Sequence, residues 1–236
     1  MSLTLFALIA AVVTIAGFIQ ATIGVGFALI IAPVLALLAP DLLPGGLLLL
    51  MLPLNAFVAW RERSAVDWFG TGWITAGRTA GTFAGFWILV AVSSAMLNLL
   101  VGAATLLAAM ASLLAPKFEP SRHAFLAAGL VTGVTETATG IGGPPLALVY
   151  QHHSAAQLRA NVALCFLIGE VFSVLLLAAA GRLTWAQAIT SVLLLPALLL
   201  GIALSRVAYT RLDQRRLRLF VLGFAMVSGL VLIVHR

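Results

Sequence analysis

The stretch TGVTETATGIGGPPLAL, residues 132–148, places hydrogen-bond donors and a carboxylic acid inside an otherwise apolar part of the chain. The acid is Glu136, and an apolar setting favours its neutral form, which would let it carry a proton. The groups that could bind an anion here are hydroxyls and glycine N–H groups, from Thr137, Thr139, Gly140, Gly142 and Gly143. Glycine suits this purpose because no side chain keeps a ligand away from the backbone. The chemistry indicated is anion binding, with Glu136 as the candidate for proton coupling.

A second stretch, GFIQATIGVG at residues 17–26, carries similar groups without the acid. Its candidate anion ligands are Gln20, Thr22, Gly24 and Gly26. Three polar residues of other apolar segments complete the candidate substrate-binding set: Asn55, Arg78 and Asn161. A central arginine costs about 2.5–3.5 kcal/mol to insert into a membrane, so we expect it to have a role. Arg78 could neutralise a bound anion or form an internal salt bridge with Glu170, and the sequence leaves both open.

The composition is that of an integral membrane protein. Of 236 residues, 63% are hydrophobic and 8% are charged, whereas soluble domains carry about 25% charged residues. Uncharged runs cover residues 1–40, 42–60, 79–116 and 183–205, and about 20 apolar residues cross a bilayer. The net charge of +6 comes from basic residues in short loops, which argues against nucleic-acid binding. We expect an all-α polytopic protein of the cell (inner) membrane, surrounded by the lipid bilayer.

The chain repeats itself at an offset of 116 residues (133 − 17, for example). The matching pairs are Gly17 with Gly133, Gln20 with Glu136, Gly24 with Gly140, Gly26 with Gly142 and Gly85 with Gly201. We therefore predict a first transmembrane repeat at 1–116 and a second at 117–236, within a single membrane domain. Short, interrupted segments at matching places in two repeats are typical of a transporter's binding site.

Each repeat is predicted to contain a broken helix or hairpin followed by three spans. The predicted segments are 3–22, 27–39, 42–60, 66–90, 94–115, 122–137, 145–153, 156–180, 184–205 and 216–234. The glycine and proline residues should start new helices near Phe27 and at Pro144 or Pro145. Helix N-termini carry free N–H groups and partial positive charge, so two of them facing one cavity would hold an anion. In segment 66–90, a glycine at every fourth position (Gly77, Gly81 and Gly85) indicates close packing on another helix.

The basic residues predict how the chain crosses the membrane. If the first two segments of each repeat make one crossing, six basic residues lie on either side. If these two segments instead enter the membrane and return to the same side, ten basic residues share one side of the membrane. They are Arg61, Arg63, Lys117, Arg122, Arg159, Arg206, Arg211, Arg215, Arg216 and Arg218. Only Arg182 and Arg236 then oppose them. The positive-inside rule favours this second arrangement, with inverted repeats and both termini outside. Re-entrant segments and full short spans have the same parity, so this choice stays open.

These motifs together resemble the sulfite exporter TauE/SafE family, also called the TSUP family. The likeness rests mainly on GIGGPP, with the surrounding GVTETATGIGGPPLAL, the earlier spacing GxxxxxxGxG and RAN at Arg159–Asn161. The resemblance extends over nearly the whole chain and implies a small permease for sulfite, sulfonates, thiosulfate or other organic anions. Two positions depart from the family pattern. Phe27 stands where members of the family often have a further glycine, and Glu136 is not part of the pattern.

We predict a secondary transporter of a small, sulfur-containing anion that works by alternating access, with the anion held at the broken-helix N-termini. An anion channel and a permease for a non-sulfur organic anion are the alternatives. The sequence has no HExxH, GxSxG or clustered Cys/His set, so we predict no enzyme activity, metal or cofactor. No Walker loop is present, so a gradient would drive transport, with a coupled proton or sodium ion. The sequence leaves the anion, the direction and an oligomeric state open.

Overall fold

The computed structural model describes residues 2–114, 119–208 and 213–234, and all its regular structure in these ranges is helical. The described residues form α1 (Leu3–Ile23), α2 (Phe27–Leu38), α3 (Gly45–Arg61), α4 (Trp68–Ala91), α5 (Ser94–Leu114), α6 (Arg122–Thr139), α7 (Gly143–Val149), α8 (Ala155–Ala179), α9 (Trp185–Ala208) and α10 (Gln214–Val234). Short 3-10 turns at Pro40–Leu42 and Arg63–Ala65 precede α3 and α4. The all-α prediction is confirmed. Lys117, Arg211 and Arg236, which entered the charge count, lie outside the described residues.

Among the described residues, five helical segments are long and apolar enough to cross a membrane. They are Leu3–Ile23, Met96–Leu114, Ala155–Ala179, Trp185–Val207 and Arg216–Val234. The surface of the helices is also apolar: Trp87, Leu175 and Val227 are each more than 60% exposed. Water would not stabilise such a surface, whereas lipid would. The chain is therefore a multi-pass membrane protein, as the composition predicted.

Glycine in a left-handed conformation breaks the first helix of each repeat. Gly24 ends α1 with φ = 90° and Gly140 ends α6 with φ = 82°, a region that side chains disfavour. The next helix of the first repeat begins at Phe27, as predicted. In the second repeat α7 begins at Gly143, before the predicted Pro144 or Pro145, and ends at Val149 rather than at 153. Both prolines fit because the first turn needs no backbone donors.

The helices pack in pairs that correspond between the repeats. The most extensive contacts join α4 to α6 and α1 to α9, which are equivalent pairs when the two repeats are exchanged. The pairs α3 with α8 and α5 with α10 join equivalent helices to each other. In the same way, α3 with α9 corresponds to α8 with α4. Each of these six pairs joins a helix of one predicted repeat to a helix of the other, so the two predicted repeats interlock.

The contact between α4 and α6, which we call the α4–α6 seam, brings two backbones together. Added Cβ atoms at Gly77, Gly81 and Gly85 would overlap the carbonyl oxygens of Leu126, Leu130 and Val134. The glycines therefore pack closely on another helix, as their spacing predicted. The α1–α9 seam is built in the same way, since a Cβ at Gly201 would overlap the carbonyl oxygen of Thr14. Small residues allow such close approach of membrane helices.

Candidate functional site

A buried guanidinium lies at the centre of the polar core. Arg78 of α4 is only 2% exposed, and its Nη2 forms an ion pair with Oε2 of Glu136 on α6. A Cβ at Gly169 of α8 would overlap Nε of Arg78, so the guanidinium lies directly against α8. Its Cζ is 5.3 Å from the centre of the Phe166 ring. Nε and Nη1 have no hydrogen-bond partner among the described residues. Arg78 therefore keeps donors in the core for a further partner.

The break of the second repeat adjoins this guanidinium. A Cβ at Gly142 would lie 2.9 Å from Cβ of Glu136 and 3.2 Å from Cε1 of Phe166. Thr132 holds the break from α6 by donating its hydroxyl to the carbonyl oxygen of Gly142, at 3.1 Å. A Cβ at Gly143 would lie 3.7 Å from Cγ1 of Val25, which belongs to the other break. The two interrupted regions thus contact each other near the Phe166 ring, on which Arg78 packs.

In the first repeat, the start of the new helix is already hydrogen-bonded. The backbone N–H of Phe27, the first residue of α2, donates to Oε1 of Gln20 at 2.9 Å. The prediction that both helix N-termini carry free N–H groups is therefore wrong for the N–H of Phe27. The physical reason is that the chain folds back at the glycines and returns the amide of Gln20 to the helix start. An anion there would compete with this internal acceptor.

Gln20 also begins a chain of hydrogen bonds through the core. Its Nε2 donates to Oδ1 of Asn55 at 3.1 Å, and Nδ2 of Asn55 donates to Oε1 of Glu170 at 2.7 Å. All three side chains are buried. The other carboxylate oxygen of Glu170, Oε2, has no hydrogen-bond partner among the described residues. The chain joins α1, α3 and α8, and it places a second carboxylate next to Gly169, on which Arg78 packs.

The ion pair of Arg78 with Glu136 is the feature that sequence reasoning missed. We expected either an anion role for Arg78 or a salt bridge to Glu170, and the close partner is Glu136 instead. Glu170 forms no salt bridge among the described residues, although it is close enough to act on the charge of Arg78. The spacing of the glycines could have indicated this pair. Like α4, α6 carries glycines four residues apart, Gly129 and Gly133, and the glycines of each helix pack on the backbone of the other. This packing places the two charged residues on facing helices.

The predicted hydroxyl ligands differ in where they point. Thr22 donates to the carbonyl oxygen of Phe18 at 2.7 Å, and Thr139 donates to that of Thr135 at 2.6 Å, so both bond within their own helices. Thr137 instead lies 2.9 Å from the hydroxyl of Ser173 on α8. Only Thr137 of these three therefore reaches the helix that carries Glu170.

The remaining predicted glycines form the turns around the site. Added Cβ atoms would meet Arg159 at Gly24, Leu47 at Gly140 and both Ile19 and Val221 at Gly26. Gly26 also has φ = 124°, a conformation that L side chains rarely adopt. These three glycines therefore shape the breaks, and Gly142 and Gly143 are the ones near the Phe166 ring under Arg78.

Asn161 lies away from the guanidinium. Its Oδ1 accepts the backbone N–H of Asp67 at 2.7 Å and the hydroxyl of Thr71 at 3.1 Å, at the start of α4. Nine residues separate it from Glu170, about 13 Å along a helix. The structure thus brings Gln20, Asn55, Arg78, Glu136 and Gly142 into one buried region and leaves Asn161 at the end of α4.

The site is closed in this conformation. The guanidinium nitrogens of Arg78 are buried. A cavity of about 10 Å³, roughly the space that one water needs, lies between the two breaks and is lined by residues that include Val25, Pro144 and Arg218. A larger groove of about 270 Å³ runs between α4 and α8. It reaches Thr82, one helical turn from Arg78. An anion can therefore reach Arg78 only after helices have moved.

The sequence comparisons identify one family. A family model described as Sulfite exporter TauE/SafE matches residues 9–232 of the chain. Curated proteins and solved structures give no significant match. No group of three or more histidine, cysteine or acidic residues suited to a metal ion occurs in the part of the chain that the structure describes.

Proposed function

The chain belongs to the sulfite exporter TauE/SafE family, and we propose that it is a secondary transporter that moves a small sulfur-containing anion by alternating access. Sulfite, a sulfonate or thiosulfate are the proposed substrates, and the cell (inner) membrane is the proposed location. The observation that carries the proposal is Arg78. A guanidinium buried at membrane depth is expensive, and two of its nitrogens still lack hydrogen-bond partners among the described residues.

The proposed binding step is an exchange of partners at Arg78. In the closed state described above, the carboxylate of Glu136 neutralises the guanidinium. An oxyanion of sulfur offers several oxygens at the spacing that a planar guanidinium binds with two parallel hydrogen bonds. The anion would therefore replace Glu136 at Nη2 and also engage the neighbouring Nε or Nη1, which have no hydrogen-bond partner among the described residues. The guanidinium stays paired throughout, and a proton on the displaced carboxylate of Glu136 would remove the uncompensated negative charge, which is the coupling role proposed for this residue.

The broken helices supply the rest of the proposed site. Gly142 lies against Glu136, so an anion that replaces this carboxylate arrives beside the backbone of the second break. Thr137, on the same helix, adds a hydroxyl near Ser173. At the first break, Gln20 would have to release the N–H of Phe27 before that helix start could bind an anion. We therefore assign most of the binding to Arg78 and the second break.

Alternating access needs two arrangements of the repeats around this site. The correspondence between helix contacts, such as α4 with α6 and α1 with α9, supports two equivalent units. We propose that these repeats are inverted in the membrane, because the loop charges favour odd parity. Exchange of their conformations would then open the site to the opposite side.

A binding screen with purified protein tests the substrate and Arg78 together. Sulfite, thiosulfate, taurine, sulfoacetate and lactate are titrated against the wild type, Arg78→Gln and Arg63→Gln. Arg63 is the matched control, because its guanidinium is exposed and stacks on Trp60 at the surface. We expect a sulfur oxyanion to bind the wild type and Arg63→Gln, and Arg78→Gln to lose at least about tenfold in affinity, or 1.4 kcal/mol.

Two further variants keep this test decisive. The double variant Arg78→Gln/Glu136→Gln has neither charge of the pair, so it serves if Arg78→Gln does not fold. Arg78→Lys keeps the charge and loses the planar donors, so its affinity should fall between the two. Wild-type affinity in the folded double variant would exclude Arg78 as the binding residue. Binding of lactate alone would favour a non-sulfur organic anion.

The channel alternative is tested by counterflow in proteoliposomes. A carrier that is loaded with unlabelled anion takes up labelled anion transiently against its gradient, whereas a channel only lets the label equilibrate. We expect counterflow, because Arg78, the proposed binding residue, is buried in this conformation and is reached only after helices move. Equilibration without accumulation would favour the channel.

A further inference from the structure

Thr82 on α4 carries a buried hydroxyl without a hydrogen bond. The residue is only 3% exposed, and its Oγ1 has no hydrogen-bond partner among the described residues. Such a hydroxyl costs free energy, because it loses its bonds to water and gains no others. The large majority of buried polar side chains in native proteins are hydrogen-bonded. An exception next to a proposed binding site indicates a donor that is kept for a ligand.

The other threonines of the helices behave differently. In a helix, a threonine hydroxyl often donates to the carbonyl oxygen four residues earlier. Six threonines of the described residues do so, at 2.6–3.0 Å: Thr14, Thr22, Thr79, Thr105, Thr135 and Thr139. Three more are bonded to a residue outside their own helix: Thr71, Thr132 and Thr137. Thr82 is buried and does neither.

Thr82 lies one turn beyond Arg78 on the same face of α4. Residues four apart on a helix are neighbours, and side chains tilt towards the preceding turn, which here is the turn of Arg78. Thr82 also lies between α6 and α8, as Arg78 does. A Cβ at Gly133 of α6 would lie 2.8 Å from its backbone N, and the residue lines the groove between α4 and α8. Its hydroxyl oxygen is buried rather than exposed in that groove. The hydroxyl therefore belongs to the packed region that holds the guanidinium.

The number of oxygens on an anion decides whether this hydroxyl can take part in binding. A carboxylate has two oxygens, and a guanidinium that binds both of them leaves none for another donor. Glu136 is an internal example, because its carboxylate pairs with Arg78 while Thr82 stays unbonded. Sulfite and sulfonates carry three oxygens on one sulfur atom. When Arg78 holds two of these oxygens, the third is available to Thr82.

We propose that Thr82 is a specificity-determining ligand, which donates its hydroxyl to the third oxygen of a sulfite or sulfonate group held by Arg78. This inference rests on the proposed transport of a sulfur oxyanion and extends it to the choice between oxyanions. A bound carboxylate leaves the hydroxyl buried and unbonded, whereas a sulfonate bonds it. Sites with buried polar groups reject ligands that leave those groups unpaired.

A matched pair of anions tests the proposal. Methanesulfonate and acetate have the same methyl group and charge and differ in the number of oxygens. Their affinities are measured by titration calorimetry on the purified wild type, Thr82→Val and the control Thr79→Val. Thr79 lines the same groove, but its hydroxyl is bonded within α4, to the carbonyl oxygen of Thr75 at 2.9 Å.

The expected result is a loss that is specific to the sulfonate. Thr82→Val should bind methanesulfonate roughly ten- to a hundredfold more weakly, because a hydrogen bond to a charged group is lost. Its affinity for acetate should be unchanged, and Thr79→Val should equal the wild type for both anions. Equal losses for the two anions in Thr82→Val, or no loss for methanesulfonate, overturn the proposal. If the wild type binds neither methanesulfonate nor sulfite, the proposed function fails and this inference fails with it.

Melting temperatures without anion give a second measurement that does not depend on binding. Valine has the shape of threonine without the hydroxyl, so Thr82→Val should leave the melting temperature unchanged or raise it. Thr137→Val should lower it, because the hydroxyl of Thr137 lies 2.9 Å from that of Ser173. A fall in Thr82→Val as large as in Thr137→Val would mean that Thr82 is bonded within the protein, which overturns the proposal. Thr82→Ser keeps the hydroxyl and should keep the preference for methanesulfonate, and Thr82→Ala replaces the valine variant if that one does not fold.

Discussion

Arg78 and Glu136 form an ion pair that keeps two opposite charges inside the core of the protein. Both side chains are buried, and each neutralises the other while no anion is present. Such a pair costs desolvation energy and is weak evidence for stability by itself. It does, however, keep the guanidinium at the centre of the core, where the proposed anion would take the place of Glu136. The pair is therefore better explained by binding than by folding.

Replacing Glu136 by glutamine separates these two roles. Glu136→Gln leaves the guanidinium without its counter-charge, which costs about 3–5 kcal/mol when a buried pair is broken. We expect a lower melting temperature in detergent and an affinity for the substrate anion raised about tenfold, because no internal carboxylate competes with it. Saturating anion should then raise the melting temperature more in this variant than in the wild type.

Glu119→Gln is the matched control, since it removes an exposed carboxylate. Its melting temperature and affinity should equal those of the wild type. If Glu136→Gln bound the anion more weakly than the wild type, Glu136 would be a ligand rather than a competitor.

Much of the site could be predicted from residue types. Polar and charged residues are rare in this chain, so Gln20, Asn55, Arg78 and Glu136 stood out before their positions were known. Their partners could not be predicted, because a hydrogen bond such as that of Gln20 with Phe27 depends on how the chain returns after a break. The separation of Asn161 from Arg78 likewise depends on which turn of α8 faces α4.

At the scale of elements, glycine decides which helices can touch. The α4–α6 seam holds glycines of both helices against backbone carbonyls, so even one methyl group has no room. Larger side chains cover the lipid-facing surface of the same helices, as at Phe83 and Leu126. The seam is therefore specified by the absence of side chains on one stripe of each helix.

Two alanine substitutions on α4 test this seam. A Cβ at Gly81 would overlap the carbonyl oxygen of Leu130, whereas nothing lies within 4 Å of a Cβ at Gly72. We expect Gly81→Ala to lower stability by about 1–3 kcal/mol through overpacking. Gly72→Ala should leave it equal or raise it by about 0.5–1 kcal/mol, because alanine favours the helix. Melting temperatures in detergent measure the difference.

The order of these two variants is the informative result. Equal melting temperatures would mean that α4 and α6 are not held at backbone distance in the protein. The same comparison in the α1–α9 seam uses Gly201→Ala, which would meet the carbonyl oxygen of Thr14. Its control is Gly223→Ala on α10, where no atom lies within 4 Å.

The helical segments were predictable because their cause is local. Apolar runs bounded by glycine, proline and charged residues specify all ten helices of the described chain, with most ends shifted by one to three residues. The end of α7 was the least accurate, because the four residues after Val149 turn instead of continuing the helix. The pairing of α4 with α6 was not predicted, since it depends on contacts between distant parts of the chain.

For the whole molecule, the direction of crossing is the property still to be measured. The inverted arrangement puts the loop after α3 and the loop before α6 on the cytoplasmic side, and the loop after α8 outside. The only cysteine, Cys165, is buried and gives little background for labelling. Exposed positions in each loop are available: Ser64, Glu119 and Arg182.

Single cysteines at these positions decide the topology. We expect an impermeant thiol reagent to label Arg182→Cys in intact cells and to label Ser64→Cys and Glu119→Cys only after the membrane is opened. The reason is that ten of the twelve loop or terminal basic residues fall on one side in this arrangement. Labelling of Glu119→Cys from outside would exclude the inverted repeats.

The seams also set an order for the assembly of the chain during synthesis. Each seam pairs a helix of one repeat with a helix of the other. The partner of α1 in its seam, α9, is synthesised much later than α1, whereas α6 is synthesised soon after its partner α4. Between Ile23 and Trp185, translation at roughly 5–20 residues per second takes on the order of 10 s. During that time the hydroxyl of Thr14 lacks its acceptor on α9, the carbonyl oxygen of Ala197. A nascent chain that stops before α9 therefore has the face of α1 around Thr14 without the helix that covers it in the folded protein.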